Sequence, residues 1–331
     1  MNAMQAPQTP QEQDWLVRDF AFECGETLPE LRLHYATLGN PNGEPALLLH
    51  GTMQSGAAFF GPQFGGELFG PGQPLDTSRY FLIVPDAIGT GRSSKPSDGL
   101  RTRFPRYSYG DMVHAQYRLV TEHLGIKHLR LVLGNSMGGM HTWMWAQQHP
   151  RILDIAVPMA SLPTPMSGRN WMLRRMLCEF IRQDSGWKGG DYAEQPPSLH
   201  LASTFFALAT NGGDLALHHQ APTRRQADAI VDARLNTPPL ADANDTLYQW
   251  EASAGYDASR QLESIRAELL AINADDDERY PPALGLLEQA IARVPQGRML
   301  RIPASTDTAG HGTTGHARFW KHELARMLGQ P

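Results

Sequence analysis

Leu129-Arg130-Leu131-Val132-Leu133-Gly134-Asn135-Ser136-Met137-Gly138-Gly139-Met140 is the stretch on which the reading of this chain turns. Leu129 to Leu133 is a short, mostly apolar run, as expected of a strand buried in a parallel sheet. Gly139 to His149 predicts a helix, stopped by Pro150. Between them, Gly134-Asn135-Ser136-Met137-Gly138 fits G-x-S-x-G. Gly and Ser are common, so the bare match is weak. The strand before it, the helix after it and Gly139 as a third small residue make it specific. Such a tight strand-to-helix turn lifts a serine oxygen above the sheet, and flanking glycines leave room for the strained backbone. The helix N-terminus behind it favours developing negative charge.

Working outward, Ala46 to Leu49 and Tyr80 to Val84 are further short apolar runs, ending in His50-Gly51 and Pro85-Asp86. Leu31 to Thr37 alternates apolar and polar, which predicts an antiparallel edge strand. Tyr109 to Leu124 carries Val113, Tyr117, Val120 and Leu124 at helical spacing, with Gly125 to close the helix. Leu153 to Met159 is a strand again. The alternation then breaks over 163–256, which is rich in Met, Trp and Arg and reads as a helical lid. It resumes with Glu268 to Ile272 as a strand, Ala283 to Val294 as a helix, Arg298 to Ile302 as a strand and Ala317 to Leu328 as a closing helix. Residues 1–13 read as a flexible tail, and 14–162 with 257–331 as the core. With the serine turn, this order predicts the α/β-hydrolase fold: a mostly parallel central sheet with helices on both faces and an inserted helical lid.

Composition excludes several alternatives. The 331 residues are 41% hydrophobic and 19% charged, so a sizeable core can be buried. The net charge of -5 has no basic block, so neither nucleic acid nor an anionic membrane surface is an expected partner. Two cysteines, Cys24 and Cys178, allow one disulfide at most and no cysteine-ligated zinc cluster. Met1 to Asp14 has no apolar core of signal-peptide length, which makes the cytoplasm the expected compartment. No run approaches the roughly 20 apolar residues needed to span a bilayer.

A serine alcohol needs a base. In this fold the base follows the last strand, and the acid follows the strand before it. Gly310-His311-Gly312 sits in the right loop, which selects His311. His316, at the start of the closing helix, suits a surface or capping role. Asp275, Asp276 and Asp277 all stand where the acid is due. The oxyanion hole needs the N–H after the nucleophile, here Met137, and a second from the His50-Gly51-Thr52-Met53 loop, where Thr52 is the natural donor. His50 itself reads as a residue that pins this loop. The remaining histidines form no metal-binding spacing.

The chain resembles the homoserine O-acetyltransferases over most of its length. The resemblance rests on Phe22-Glu23-Cys24-Gly25-Glu26-Thr27-Leu28-Pro29, Tyr35-Ala36-Thr37-Leu38-Gly39, Asp111-Met112-Val113-His114-Ala115-Gln116, His123-Leu124-Gly125-Ile126 and the serine turn. Ile181-Arg182-Gln183-Asp184, with Trp187, Gly190, Asp191 and Tyr192, is similar to that family's lid. Its acid precedes a Tyr/Phe-Pro pair, and Asp277 precedes Tyr280-Pro281 in that register, so the resemblance implies Asp277. It also implies acyl-enzyme chemistry. The departures are local. Gly312 stands where these transferases carry Asp, Ala202-Ser203 where they carry Ala-Arg, and Gly91-Arg92-Ser93-Ser94-Lys95-Pro96 where they carry a Gly-Ser-x-Gly-Pro turn.

The expectation is a serine hydrolase that cleaves a small-molecule carboxylic ester through Ser136, His311 and Asp277, with no metal or organic cofactor. The alternative is an O-acyltransferase that takes its acyl group from acetyl-CoA and delivers it to an alcohol. If two of Trp171, Trp187, Phe205, Phe206 and Trp250 face the site, the pocket is apolar and suits an uncharged ester better than a zwitterion. A homodimer formed through the lid is the assembly such a surface would allow.

Overall fold

The computed structural model describes residues 9–237 and 241–330. Eight strands form one sheet in the order β1-β2-β4-β3-β5-β6-β7-β8. They are β1 (Gln11–Ala21), β2 (Thr27–Gly39), β3 (Glu44–Leu49), β4 (Tyr80–Pro85), β5 (Leu129–Asn135), β6 (Leu153–Met159), β7 (Glu268–Ala274) and β8 (Gly297–Ile302). β1 and β2 run antiparallel, as do β2 and β4, whereas every pairing from β4 to β8 is parallel.

Successive strand residues face opposite sides of the sheet, and here both sides are covered. In β3, Leu47 and Leu49 join one core while Ala46 and Leu48 join the other. In β7, Leu269 and Ala271 face the first core, and Leu270, Ile272 and Ala274 the second. Helices α2 (Tyr109–Arg118), α3 (Met137–Gln148) and α9 (Leu286–Ile291) supply Met112, Val113, Trp143, Trp145 and Leu287 to the first core. The short α1 (Gly65–Leu68) and the closing α10 (Lys321–Met327) supply Leu68 and Leu324 to the second, with Phe64 and Trp320 beside them. Ser108 caps α2: its Oγ accepts from the Asp111 N–H at 3.1 Å, and Asp111 Oδ2 accepts from the Ser108 N–H at 2.8 Å. The predicted run to Leu124 is completed by a π-helical turn, Leu119–His123, with Gly125 at φ +66° beyond it.

Two expectations need correction. The edge strand is β1, not the Leu31–Thr37 segment, which lies inside β2 between β1 and β4. The predicted tail of residues 1–13 is a strand from Gln11 onward, while its residues 1–8 lie outside the described residues. Polar composition concealed the start of β1, where Gln11 to Asp14 are exposed and held by the ladder and by polar side chains, while Val17 and Phe20 further along are buried in the first core. Tyr35 Oη donates to Gln13 Oε1 at 2.8 Å, and Asp14 Oδ1 meets His34 Nδ1 at 2.7 Å. Cys24 and Cys178 are both free thiols.

Among the described residues, five α-helices lie between β6 and β7: α4 (Gly168–Arg182), α5 (Pro197–Thr210), α6 (Asp214–Gln220), α7 (Arg224–Leu235) and α8 (Ala243–Glu251). Leu177, Ile181, Leu199, Phe206, Leu247 and Trp250 form a small core of their own. α8 also binds the segment to the sheet domain. Asp245 accepts from Ser97, through both N–H (2.8 Å) and Oγ (2.6 Å), and Gln249 Nε2 donates to the Ile88 carbonyl at 2.6 Å. Tyr248, Ala252 and Tyr256 pack in the first core. Among the described residues no helix is long and apolar enough to cross a membrane.

Trp320 is fully buried, and its Nε1 donates to the Thr314 carbonyl at 2.9 Å. Trp320→Ala is expected to lower unfolding free energy by about 3–5 kcal/mol in urea titrations. Leu215→Ala, at a residue 52% exposed, is expected to stay within about 0.5 kcal/mol. A Trp320→Ala loss below about 1 kcal/mol would contradict this packing.

Candidate active site

The parallel strands bring their carboxyl ends to one edge of the sheet, where open α/β folds place ligands. Ser136 follows β5 and opens α3, with φ +56° and ψ -111°. That conformation is uncommon for a residue with a side chain and costs on the order of 1–3 kcal/mol. Its surroundings hold it there. Ser136 N–H donates to the Met159 carbonyl at 2.9 Å, and Gly138 N–H to the His50 carbonyl at 3.0 Å. The glycines are required by contact: a Cβ on Gly138 would lie 1.9 Å from the Leu49 oxygen, and one on Gly134 would lie 2.0 Å from the Gly138 oxygen.

Ser136 Oγ lies 2.9 Å from His311 Nε2. On the other side of the ring, Nδ1 lies 2.9 and 3.0 Å from the two carboxylate oxygens of Asp277. All three side chains are buried. Asp277 Oδ1 also accepts the backbone N–H groups of Arg279 at 2.8 Å and Tyr280 at 3.1 Å. Burial alone would raise the Asp277 carboxyl, but the His311 ring and these N–H donors hold it below its ordinary range. For His311, burial and the nearby Arg279 guanidinium push the imidazole below its ordinary value, against the upward pull of Asp277.

The other two aspartates stand apart from the ring. Asp275 is exposed. Asp276 is half-buried, and its Oδ2 accepts from Thr308 Oγ1 at 2.6 Å. His316 stacks on Phe319 with centroids 6.3 Å apart. His50 is buried; its Nδ1 lies 2.8 Å from the Gly51 carbonyl, and its Nε2 accepts from the Ala87 N–H at 2.9 Å. Those contacts pin the loop carrying Thr52. Among the described residues, neither Thr52 N–H nor Met137 N–H donates to a protein acceptor, so both are free for a developing oxyanion.

Two functional residues escape a sequence reading. Glu278 Oε2 accepts the His311 N–H at 2.9 Å, and Oε1 accepts the Gly213 N–H at 2.8 Å. It ties the histidine loop to the turn between α5 and α6. Gly310 is required beside it, since φ is +56° and a Cβ would lie 2.2 Å from Glu278 Oε2. Arg279 is the second, on the wall of a cavity of about 340 Å³ above Ser136. Both sit in an acidic run whose partners only the fold reveals.

The cavity is lined by Thr52, Ser136 and His311 from the sheet domain, and by Leu177, Phe206, Ala207 and Trp250 from the inserted helices. Of the five aromatic residues considered from sequence, Phe206 and Trp250 face it, but Arg279 stands beside them on the wall, so the expected step from two aromatic residues to a pocket for an uncharged ester does not follow. Phe205 is 58% exposed, and Trp187 donates to Asn244 Oδ1 at 3.0 Å. Gly312 and Ser203 also line the wall. Among the described residues no three His, Cys, Asp or Glu side chains gather to hold a metal ion. The arrangement can activate a serine alcohol, accept its proton and stabilise an oxyanion beside a mostly apolar pocket.

Comparison with known proteins agrees with this architecture. The family model for the alpha/beta hydrolase fold matches residues 45–309. A homoserine O-acetyltransferase from Methanococcoides burtonii is 31% identical over 305 residues, covering 80% of this chain and 62% of that protein. The chain thus spans less than two thirds of that relative's length. The crystal structure of homoserine O-acetyltransferase from Bacillus anthracis superposes with a TM-score of 0.81 at 22% identity, covering 98% of each chain. An acetylester hydrolase from Corynebacterium glutamicum gives 0.82 at 21% identity, covering 97% of this chain and 96% of that one. With the family model spanning most of its length and a sheet, serine turn and helical insertion of this form, the chain belongs to the α/β-hydrolase family and is a relative of the homoserine O-acetyltransferases.

Proposed function

We propose that the protein transfers acyl groups from carboxylic esters through an acyl-enzyme on Ser136, and that water is the final acceptor. The observation that carries this reading is the hydrogen-bonded chain Ser136–His311–Asp277 at the foot of the cavity. His311 Nε2 takes the Ser136 proton as Oγ attacks the ester carbonyl. Asp277 holds the ring in the tautomer that leaves Nε2 free to accept. The Thr52 and Met137 N–H groups receive the negative charge that develops on the carbonyl oxygen. His311 returns the proton to the departing alcohol. Water then gives a proton to His311 as its oxygen attacks the acyl carbon, and His311 passes that proton to Ser136 Oγ as the bond to the acyl carbon breaks and the acid leaves.

The choice of acceptor has support on both sides. The curated relatives are named homoserine O-acetyltransferases, which supports transfer to an alcohol more strongly than hydrolysis. Cavity chemistry supports water. Gly312 and Ser203 line the wall at the positions where the resemblance to the transferases implies Asp and Arg. A homoserine zwitterion would lose both charged contacts there. Each such contact contributes roughly 1.5–3 kcal/mol, or about ten- to a hundredfold in binding.

The test is direct competition between acceptors. Wild-type protein is expected to hydrolyse p-nitrophenyl acetate and to transfer little acetyl from acetyl-CoA to L-homoserine, as followed by thiol release and product mass. Homoserine acetylation outpacing hydrolysis of every ester tried would establish the transferase instead. The pH profile provides a second check. The active form of His311 is neutral, and its pKa is displaced downward, so kcat/KM should rise through a midpoint below 6.5. An acid limb centred above 6.5 would contradict the electrostatic account of His311.

A further inference from the structure

Among the residues lining the cavity, Arg279 is the only Asp, Glu, Lys or Arg. It is half-buried, with its guanidinium 5.0 Å from the Phe206 ring centroid. Nε donates to the Thr210 carbonyl at 3.3 Å. With the Asn211 amide oriented to satisfy both of its ends, Nη2 donates to the Asn211 side-chain oxygen at 3.0 Å. Nη1 has no protein partner among the described residues.

A second guanidinium lies close enough to act on the first. Arg174 is 1% exposed, lies 4.6 Å from the Trp250 ring centroid, and donates to Asn170 Oδ1 at 3.1 Å and Ser253 Oγ at 3.2 Å. Burial and the charge of Arg174 lower the Arg279 pKa to about 10, so Arg279 remains a cation at neutrality. Among the described residues, neither guanidinium has a carboxylate oxygen within 4.0 Å, whereas surface arginines such as Arg293 hold a glutamate at 2.7 Å. The two neighbouring carboxylates are committed elsewhere: Asp277 to the His311 ring, and Glu278 to the His311 and Gly213 N–H groups. Withdrawing a cation from water without a counter-ion is costly. Here one such cation, with its Nη1 unpartnered among the described residues, lines the space that a substrate would fill.

We propose that the Arg279 guanidinium binds a carboxylate of the substrate, so that the ester taken by this cavity is an anion. With Nε and Nη2 turned to Thr210 and Asn211, Nη1 is the donor left for one carboxylate, in a charge-assisted hydrogen bond. The absence of Asp and Glu from the lining leaves an ammonium group without a partner, so a monoanion fits better than a zwitterion. This inference rests on the ester reading above for its chemistry, but not for its charge preference. The carboxylate belongs to the acyl or to the alcohol side of the ester bond, and the two sources are separable by experiment.

Ser136→Ala, which cannot be acylated, is titrated by calorimetry with monomethyl glutarate and with acetoxyacetate. These carry the carboxylate on the acyl and the alcohol side respectively. The methyl ester of each serves as its uncharged control. At least one anion is expected to bind about ten- to a hundredfold more tightly than its methyl ester, and that pair assigns the side. Adding Arg279→Met should abolish the difference, and Arg279→Lys should restore part of it by keeping the charge without the fork. In Ser136→Ala alone the preference should shrink as salt is raised. Equal or tighter binding of both methyl esters, or a preference that persists in Arg279→Met, would overturn the proposal. Arg279-dependent binding of an anion that the wild type never hydrolyses would uphold charge recognition and defeat the ester reading instead.

Discussion

The turn that carries Ser136 is the constraint on which the rest of the site depends. A residue with a side chain is held at φ +56° between a strand and a helix. That backbone survives because Met159 and His50 carbonyls accept the N–H groups on either side of Met137, and because glycines admit contacts that any Cβ would block. The strand supporting it is buried on both faces, so the turn cannot relax without disturbing two cores. The Ser136 hydroxyl is thereby aimed at His311, whose own loop is anchored twice, at the ring by Asp277 and at the backbone by Glu278. Three separate segments thus meet at one point because the parallel strands β5, β7 and β8 end on the same edge.

Much of this was legible in the residues themselves. Strands apolar on both faces, such as β3 and β7, can only be central, and their spacing with the helices restricts the topology to a few arrangements. Ser136 and His311 were legible because loop position and residue chemistry coincide at each. Asp277 was not separable from Asp275 and Asp276 by composition or periodicity; only the family register at Tyr280-Pro281 singled it out. β1 was hidden because its first four residues are polar and exposed, and because Asp19, at φ +49° and outside the ladder, breaks the alternation between the buried Val17 and Phe20. Glu278 and Arg279 were hidden for a different reason. Within a turn, adjacent charged residues diverge, and which one meets the histidine backbone and which one meets the cavity depends on packing between segments far apart in sequence.

Charge organises the pocket as much as shape does. Asp277 and Glu278 act inward, on the histidine loop, while Arg279 acts outward, on the cavity. Phe206 and Trp250 make the wall largely apolar, and an ion pair formed beside them would be little screened by water. A solved homoserine O-acetyltransferase shares the fold, and so does a solved acetylester hydrolase, so the sheet alone does not separate transfer from hydrolysis.

The central claim is that Ser136 is a nucleophile driven by His311 under the orientation of Asp277. Its most direct test is the rate and site of covalent labelling by a fluorophosphonate, read by peptide mass spectrometry. The account predicts one adduct, on the peptide containing Ser136. It further predicts that labelling in Asp277→Asn slows by orders of magnitude, up to the roughly 10⁴-fold loss that removing such an acid causes. An adduct on another residue with Ser136 unmodified, or labelling of Ser136 at an unchanged rate in Asp277→Asn, would contradict it.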